Sequence, residues 1–115
     1  MEFLHQIDNI LTEEECQYYM NMFNDKELVE DIDDKHRKYH RVQFQDQEFA
    51  DRLFEKVKGY LPKKIKKISD GMNDHIRLSM YDPGQFFGIH KDGINFDKNN
   101  KKRMSYATLN IFLND

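Results

Sequence analysis

The stretch His75–Gly93, HIRLSMYDPGQFFGIHKDG, contains an alternating segment, a turn and a histidine two residues before an aspartate. Residues 75–81 alternate apolar and polar side chains, and this alternation predicts a strand with one face on a core. Asp82-Pro83-Gly84 predicts a type II turn, because proline favours the first central position and glycine the second. Residues 85–93 predict another strand that ends at a glycine. The stretch therefore predicts strand, turn and strand.

His90 and Asp92 are the candidate metal ligands of this stretch. Alternate side chains of a strand point to the same side, so we expect the imidazole and the carboxylate to meet at one point. They would supply two thirds of the 2-His-1-carboxylate ligand set of non-haem Fe(II) oxygenases. The spacing alone leaves a second interpretation open, a polar surface turn. Five histidines in an acid-rich chain give such a pair by chance with roughly even odds.

Two helices are predicted before this stretch. Thr12 and Glu15 match a capping box, which predicts a helix start there. A second helix is predicted to begin at Asp46 or Gln47 and to end before Pro62, which cannot continue a helix. Its apolar residues recur at helical spacing and predict a core-facing stripe. The stripe comprises Phe49, Leu53, Phe54, Val57, Tyr60 and Leu61.

The remaining segments are predicted from their composition. Short strands are predicted at residues 3–10 and around Val42 and Phe44, and residues 104–115 predict a strongly β-prone last strand. The connectors at residues 63–71 and 94–103 are polar and predict surface loops. Residues 25–40 are charge-dense and leave two interpretations open. They form either a helix with His36 and His40 on one face or a solvated basic run.

The order of these elements predicts one α+β domain over residues 1–115, with N-terminal helices packed on an antiparallel sheet. Residues 1–70 would form a helical support region, and residues 75–115 would supply the strands and the His-x-Asp pair. Nine phenylalanines and six tyrosines argue against disorder, because disordered chains are poor in aromatic residues.

The composition also excludes several classes of partner. The net charge is -3, so no overall basic field would attract nucleic acid or an acidic membrane. Cys16 is the only cysteine, which excludes an internal disulfide and is typical of a reducing compartment. The N-terminus lacks the basic and apolar regions of a signal peptide, and no apolar run approaches transmembrane length. We therefore expect a cytoplasmic protein with no nucleic-acid or membrane partner.

The combined motifs closely resemble the prolyl 4-hydroxylase-like branch of the 2-oxoglutarate- and Fe(II)-dependent dioxygenases. The family pattern runs Arg, Tyr-x-Pro-Gly-Gln, His-x-Asp, Ser and a strand Thr-Leu-x-x-Tyr-Leu-Asn-Asp. In this chain those positions are Arg77, Tyr81, Pro83, Gly84, Gln85, His90, Asp92, Ser105 and Thr108 to Asp115. The N-terminal IDNILTEEECQYY is similar to the opening strand and helix of the family.

The resemblance implies a fold, a reaction and roles for individual residues. The fold would be a partial double-stranded β-helix, or jelly roll, supported by the N-terminal helices. His90 and Asp92 would be catalytic iron ligands, and Tyr81 would hydrogen-bond 2-oxoglutarate or substrate. Phe112 stands where many family members have a tyrosine, and it would be an apolar wall. The reaction would be hydroxylation of a peptidyl, proline-containing substrate with Fe(II) and 2-oxoglutarate, and ascorbate would be the reductant.

The family pattern also includes a distal histidine and a basic residue that binds 2-oxoglutarate, and neither has a match in these residues. His5, His36, His40 and His75 do not match the position of that histidine. We therefore expect the chain to be the N-terminal part of a dioxygenase domain. The alternative is an inactive homologue that acts as an interaction or oligomerisation module. Its apolar last strand would then form a homodimer through an exposed edge.

Overall fold

Helices and one antiparallel sheet form the α+β fold that the sequence predicted. The computed structural model describes residues 4–25, 29–33, 36–90 and 92–114. In chain order the elements are α1 (Glu13–Asp25), β1 (Val29–Asp33), β2 (Arg37–Gln45), α2 (Gln47–Val57), a 3-10 turn (Lys58–Tyr60), α3 (Lys63–Ile68), β3 (His75–Met80) and β4 (Phe86–Phe87).

Helix α1 begins with the predicted capping box. The Thr12 N–H donates to Glu15 Oε1 at 3.1 Å, and the Glu15 N–H donates to Thr12 Oγ1 at 3.1 Å. The first of these bonds favours the carboxylate and lowers the pKa of Glu15 below its usual value. Two otherwise unpaired backbone donors of the helix end are thereby satisfied.

Helix α2 begins where the sequence predicted and ends earlier. Asp46 is its N-cap, and the Asp46 carboxylate accepts a hydrogen bond from the Phe49 N–H at 2.9 Å. The helix ends at Val57 and continues as a 3-10 turn, although the apolar stripe predicted it as far as Leu61. Gly59 disfavours the helix, and the backbone of Leu61 is extended because Pro62 follows it. The buried residues of α2 are Phe49, Ala50, Leu53 and Val57.

Helix α3 occupies a segment that was predicted to be a loop. It spans six residues, four of which are exposed lysines, and Ser69 terminates it through a bond from its N–H to the Ile65 carbonyl at 2.9 Å. Among the described residues, no helix is both long and apolar enough to cross a bilayer.

The sheet has β2 at its centre. Strand β1 pairs antiparallel with one edge of β2, and β3 pairs antiparallel with the other edge. Strand β4 also pairs antiparallel with β2, with Phe86 and Phe87 opposite Lys38 and Arg37. Because β1 already covers that end of β2, β4 must lie on the same edge as β3. The two strands therefore form one edge that is interrupted by residues 81–85.

The predicted turn produces this interruption and is not a hairpin. The Gln85 N–H donates to the Asp82 carbonyl at 2.9 Å, and Gly84 has a φ of 87°. A positive φ at the second central position is the mark of a type II turn and favours glycine. Beyond the turn the chain resumes its earlier direction along β2.

Alternation along the strands gives the sheet two different faces. Phe44, Ile76 and Leu78 lie on one face and pack against a buried cluster of Tyr19, Phe49 and Leu53 from the two long helices. Tyr39 is also buried, but it lies an odd number of residues from Phe44 along β2, which places it on the opposite face. The predicted alternation of Ile76, Leu78 and Met80 with exposed residues is confirmed. The first face is the core of the molecule, and the second leads to the candidate site.

Three further predicted assignments were wrong. Residues 4–10 contain no strand, and residues 104–114 contain only one isolated bridge, Phe96 with Met104. Residues 25–40 were predicted as helix or solvated run, yet they include β1 and the start of β2. A strand requires a backbone partner as well as β-prone residues. Ile111 and Leu113 pack on the core without joining the sheet.

Candidate metal site

His90 and Asp92 converge at the end of the sheet, just beyond β4. His90 Nε2 lies 3.4 Å from Asp92 Oδ1. The strand predicted over residues 85–93 is limited to Phe86–Phe87, so His90 and Asp92 lie beyond it and strand alternation does not account for their approach. Strand β4 ends opposite Arg37, where β2 begins, and the next bond along this edge joins the Gly88 N–H to the His36 carbonyl.

The imidazole of His90 is restrained by a hydrogen bond at its edge and by a stacked ring on its face. Nδ1 lies 2.7 Å from the Gly88 carbonyl oxygen, and the ring stacks on Phe87 with centroids 3.8 Å apart. A carbonyl can only accept a hydrogen bond, so Nδ1 must carry the proton. When the ring is neutral, Nε2 therefore carries the lone pair and faces Asp92. A backbone carbonyl on the remote ring nitrogen is the usual partner of a metal-binding histidine.

The carboxylate of Asp92 is held at one of its two oxygens. Thr108 Oγ1 donates to Asp92 Oδ2 at 2.8 Å, and Asp92 Oδ1 faces His90 Nε2. Both side chains are partly exposed, at 44% for His90 and 58% for Asp92. Two atoms that offer lone pairs face one another, so a cation between them would be attracted to both. That cation is either the second imidazole proton or a metal ion.

The donor atoms fit a divalent transition metal. Imidazole nitrogen and carboxylate oxygen are ligands for iron, manganese and zinc. Two ligand atoms about 2.1 Å from one ion, at right angles, lie about 3.0 Å apart. The observed 3.4 Å separation of His90 Nε2 and Asp92 Oδ1 is close to this value, so little movement would be needed.

A row of stacked rings connects Tyr81 to this pair. The ring centroids are 5.1 Å apart between Tyr81 and Tyr39, and 5.6 Å apart between Tyr39 and Phe87. Phe87 then stacks on His90, and the guanidinium carbon of Arg37 lies 5.9 Å from the Phe87 centroid. Tyr81 is 46% exposed at the far end of the row. The aromatic row thus places Tyr81 on the same sheet face as the pair, with two rings between them.

Gly88 is required by the close approach of two backbones. A β-carbon at this position would lie 3.0 Å from the carbonyl oxygen of His36. The same residue provides the carbonyl that holds His90 Nδ1. Gly88 therefore connects the edge of the sheet to the candidate ligand, a role that no pattern in the sequence indicated.

Two other histidines lie near polar groups away from the pair. His40 Nδ1 is 3.8 Å from Asp82 Oδ2 at the turn, and His75 Nε2 is 3.1 Å from the amide of Gln43. No group of three or more His, Cys, Asp or Glu side chains suited to one metal ion occurs within residues 4–25, 29–33, 36–90 and 92–114. The described part of the chain thus brings together two candidate ligands.

The remaining residues singled out by the motif lie outside the pair. Ser105 Oγ accepts a hydrogen bond from the Asn95 N–H at 3.0 Å, and Arg77 is exposed on β3. Phe112 is 88% exposed. Thr108 contacts Asp92 through its hydroxyl. Thr108 was part of the motif, but no role had been assigned to this hydroxyl. Tyr39 was hidden within a strongly charged run, KHRKYHR.

Similarity to known proteins gives no further assignment. No family model matches the chain, and the searches of curated proteins and of solved structures found no match. The candidate site is therefore defined by its own residues and their contacts.

Proposed function

We propose that this chain contributes His90 and Asp92 to the metal site of an Fe(II)- and 2-oxoglutarate-dependent dioxygenase of the prolyl 4-hydroxylase type. The observation that supports this most directly is the 3.4 Å approach of His90 Nε2 to Asp92 Oδ1. The substrate would be a peptidyl, proline-containing chain, and the protein would work in the cytoplasm with ascorbate as reductant. The complete fold would be a jelly roll.

The contacts of His90 favour a metal ion over an ordinary surface ion pair. The bond from Nδ1 to the Gly88 carbonyl fixes the tautomer, and stacking on Phe87 fixes the plane of the ring. An exposed ion pair gains little from such restraints, because its net contribution to stability is commonly below about 1 kcal/mol. A ligand gains more, since restrained donor atoms lose less freedom when the metal binds.

Each group in this proposal has a defined task. Fe(II) and 2-oxoglutarate would supply an oxygen-dependent hydroxylation of an unactivated C–H bond, in which 2-oxoglutarate is decarboxylated to succinate. His90 and Asp92 hold the metal, and the Tyr81 hydroxyl would hydrogen-bond 2-oxoglutarate or the substrate. The rings of Tyr39 and Phe87 lie between Tyr81 and His90 and would form an apolar surface beside the metal.

A second candidate function is an inactive homologue that acts as an interaction or oligomerisation module. Without 2-oxoglutarate to complete the coordination, two protein ligands hold Fe(II) loosely, because affinity depends on the number and arrangement of ligands. Exposed apolar surface is typical of contact sites, and residues 86–112 expose many large apolar side chains. These are Phe86, Phe87, Ile89, Ile94, Phe96, Met104, Tyr106, Leu109 and Phe112.

A metal titration with a coupled activity assay separates the two functions. Mn(II), an inert substitute for Fe(II), is titrated into the chain with 2-oxoglutarate and followed by the loss of the free-ion electron paramagnetic resonance signal. With Fe(II) and a proline-containing peptide, oxygen-dependent succinate formation is then measured. The dioxygenase proposal expects micromolar binding and succinate release. Millimolar affinity without succinate, together with a concentration-dependent dimer in sedimentation, favours the interaction module.

Single substitutions identify the ligands. His90→Ala and Asp92→Ala are each expected to weaken Mn(II) binding by at least about 100-fold, because each removes a direct ligand. His75→Ala is the matched control, since His75 contacts Gln43 and not the pair. If His90→Ala and Asp92→Ala bind Mn(II) as tightly as the unchanged chain, the proposed site is wrong.

A further inference from the structure

Residues 95–97 and 103–105 run antiparallel in one register. The Ser105 N–H donates to the Asn95 carbonyl at 2.9 Å, and Phe96 forms a bridge with Met104. The Asp97 N–H donates to the Arg103 carbonyl at 2.9 Å. Each step of one residue along one segment is therefore matched by one step along the other. Continued outward by three residues from Asn95 and Ser105, this register places Asp92 directly opposite Thr108.

Arg103 fixes the position of this loop against the rest of the chain. Its Nε donates to Asp70 Oδ1 at 2.9 Å, and its Nη1 donates to Asp97 Oδ2 at 2.8 Å. Bonding to Arg103 is the main cause of the lowered pKa of Asp70 and a contributing cause for Asp97, where the Asn99 N–H has the larger effect. One guanidinium thus connects the loop to the segment that follows α3. The same loop carries the contact in which Thr108 Oγ1 donates to Asp92 Oδ2.

We infer that Thr108 is a positioning residue for Asp92. This inference is based on the proposed function, because it concerns how the second ligand is presented to the metal. An exposed carboxylate rotates readily about its last side-chain bond, where the energy wells are broad. The hydroxyl of Thr108 occupies Oδ2 at 2.8 Å and leaves Oδ1 directed at His90 Nε2. The register of the loop selects which oxygen is available to a metal.

The expected effect is on metal affinity and not on the fold. Partners that hold a ligand in place typically contribute about 10- to 100-fold to metal binding. Thr108 is near the end of the described chain, and its backbone takes part in neither a helix nor a strand. Removing its hydroxyl should therefore leave the helices and the sheet unchanged.

Mn(II) titration of two Thr108 variants tests this inference. Thr108→Val keeps the shape of the side chain and removes the hydroxyl, and it is expected to weaken Mn(II) binding by about 10- to 100-fold. Thr108→Ser restores the hydroxyl and is expected to bind within about threefold of the unchanged chain. Thr12→Val is the matched control, because it makes the same chemical change at the α1 cap, away from the pair. Circular dichroism verifies that each variant is folded.

The outcomes separate this inference from the proposed function. If His90→Ala and Asp92→Ala lose Mn(II) binding while Thr108→Val keeps it, Thr108 has no positioning role and the proposed function stands. Equal weakening in Thr108→Val and Thr108→Ser would also overturn the inference, because packing and not the hydroxyl would then matter. If neither His90→Ala nor Asp92→Ala changes Mn(II) binding, the proposed site fails, and the role of Thr108 fails with it.

Discussion

The two faces of the sheet differ in how they are built. On the helix-covered face, Phe44, Ile76 and Leu78 pack on a buried cluster from α1 and α2. On the opposite face, Tyr39 is buried beneath partly exposed rings, and the aromatic row ends at His90 and Asp92. The first face gains stability from buried apolar area. The second arranges polar donor atoms near solvent, so changes on the two faces should affect different measurements.

The largest expected effect is on the helix-covered face. Phe49→Ala should lower the free energy of unfolding by about 3–5 kcal/mol, because it leaves a cavity in the core. Phe49 is 5% exposed, whereas Phe112 is 88% exposed. Phe112→Ala, the same chemical change, should therefore stay within about 0.5 kcal/mol of the unchanged chain in urea unfolding. Equal losses in the two variants would contradict the assignment of the core.

Gly88→Ala should affect both stability and the metal pair. Its new methyl group would press on the His36 carbonyl, and crowding of this kind destabilises by about 1–3 kcal/mol. Mn(II) affinity should fall as well, since the Gly88 carbonyl holds His90. Gly93→Ala is the control, because no heavy atom lies within 4 Å of its added carbon. A Gly88→Ala variant that matches Gly93→Ala in both measurements would argue against the close approach.

Phe87→Leu tests whether the aromatic row supports the metal pair. Loss of ring stacking with Tyr39 and His90 should cost about 0.5–1.5 kcal/mol and should weaken Mn(II) binding. Phe86 is the preceding residue and points to the other side of β4. Phe86→Leu should leave Mn(II) affinity unchanged. If both substitutions weaken Mn(II) binding equally, the aromatic row does not support the site.

The smallest expected effect is the pH dependence of the α1 cap. The pKa of Glu15 is lowered in the folded chain, so folding favours its ionised form. The resulting stabilisation is fully present above the ordinary carboxyl pKa and is lost as the pH falls through the lowered value. Charges at a helix N-terminus contribute about 0.3–1 kcal/mol. The stability advantage over Glu15→Gln should therefore shrink between about pH 6 and about pH 3 in urea unfolding, and a constant difference would contradict this origin.

The parts of the fold that were predicted correctly are specified locally. The Thr12–Glu15 cap and the start of α2 each depend on residues three apart in sequence. By contrast, β2 has charged residues over its first half, which concealed a strand that its neighbours on both edges stabilise. Residues 104–114 have high β-propensity, but propensity does not supply a backbone partner.

The candidate site shows the same division between local and distant information. The convergence of His90 and Asp92 was expected from strand alternation, but both residues lie beyond the two-residue strand. Tyr39 and Thr108 contact this region from positions far along the chain; Thr108 and Asp92 are separated by 16 residues. No local pattern in the sequence specifies such a contact, because it depends on strand pairing and on the register of the loop.

The interrupted edge formed by β3 and β4 has a consequence for how such a site could change over time. The turn at Asp82–Gln85 lies between β3, which packs on the core, and β4, which leads to His90 and Asp92. One residue gained or lost there would reverse which side chains of β4 face Tyr39, because strand side chains alternate. His90 would then move to the other side of the sheet while β3 kept its pairing. Length variation in one surface turn could therefore relocate or abolish the ligands in a single evolutionary step, with the helical core left intact.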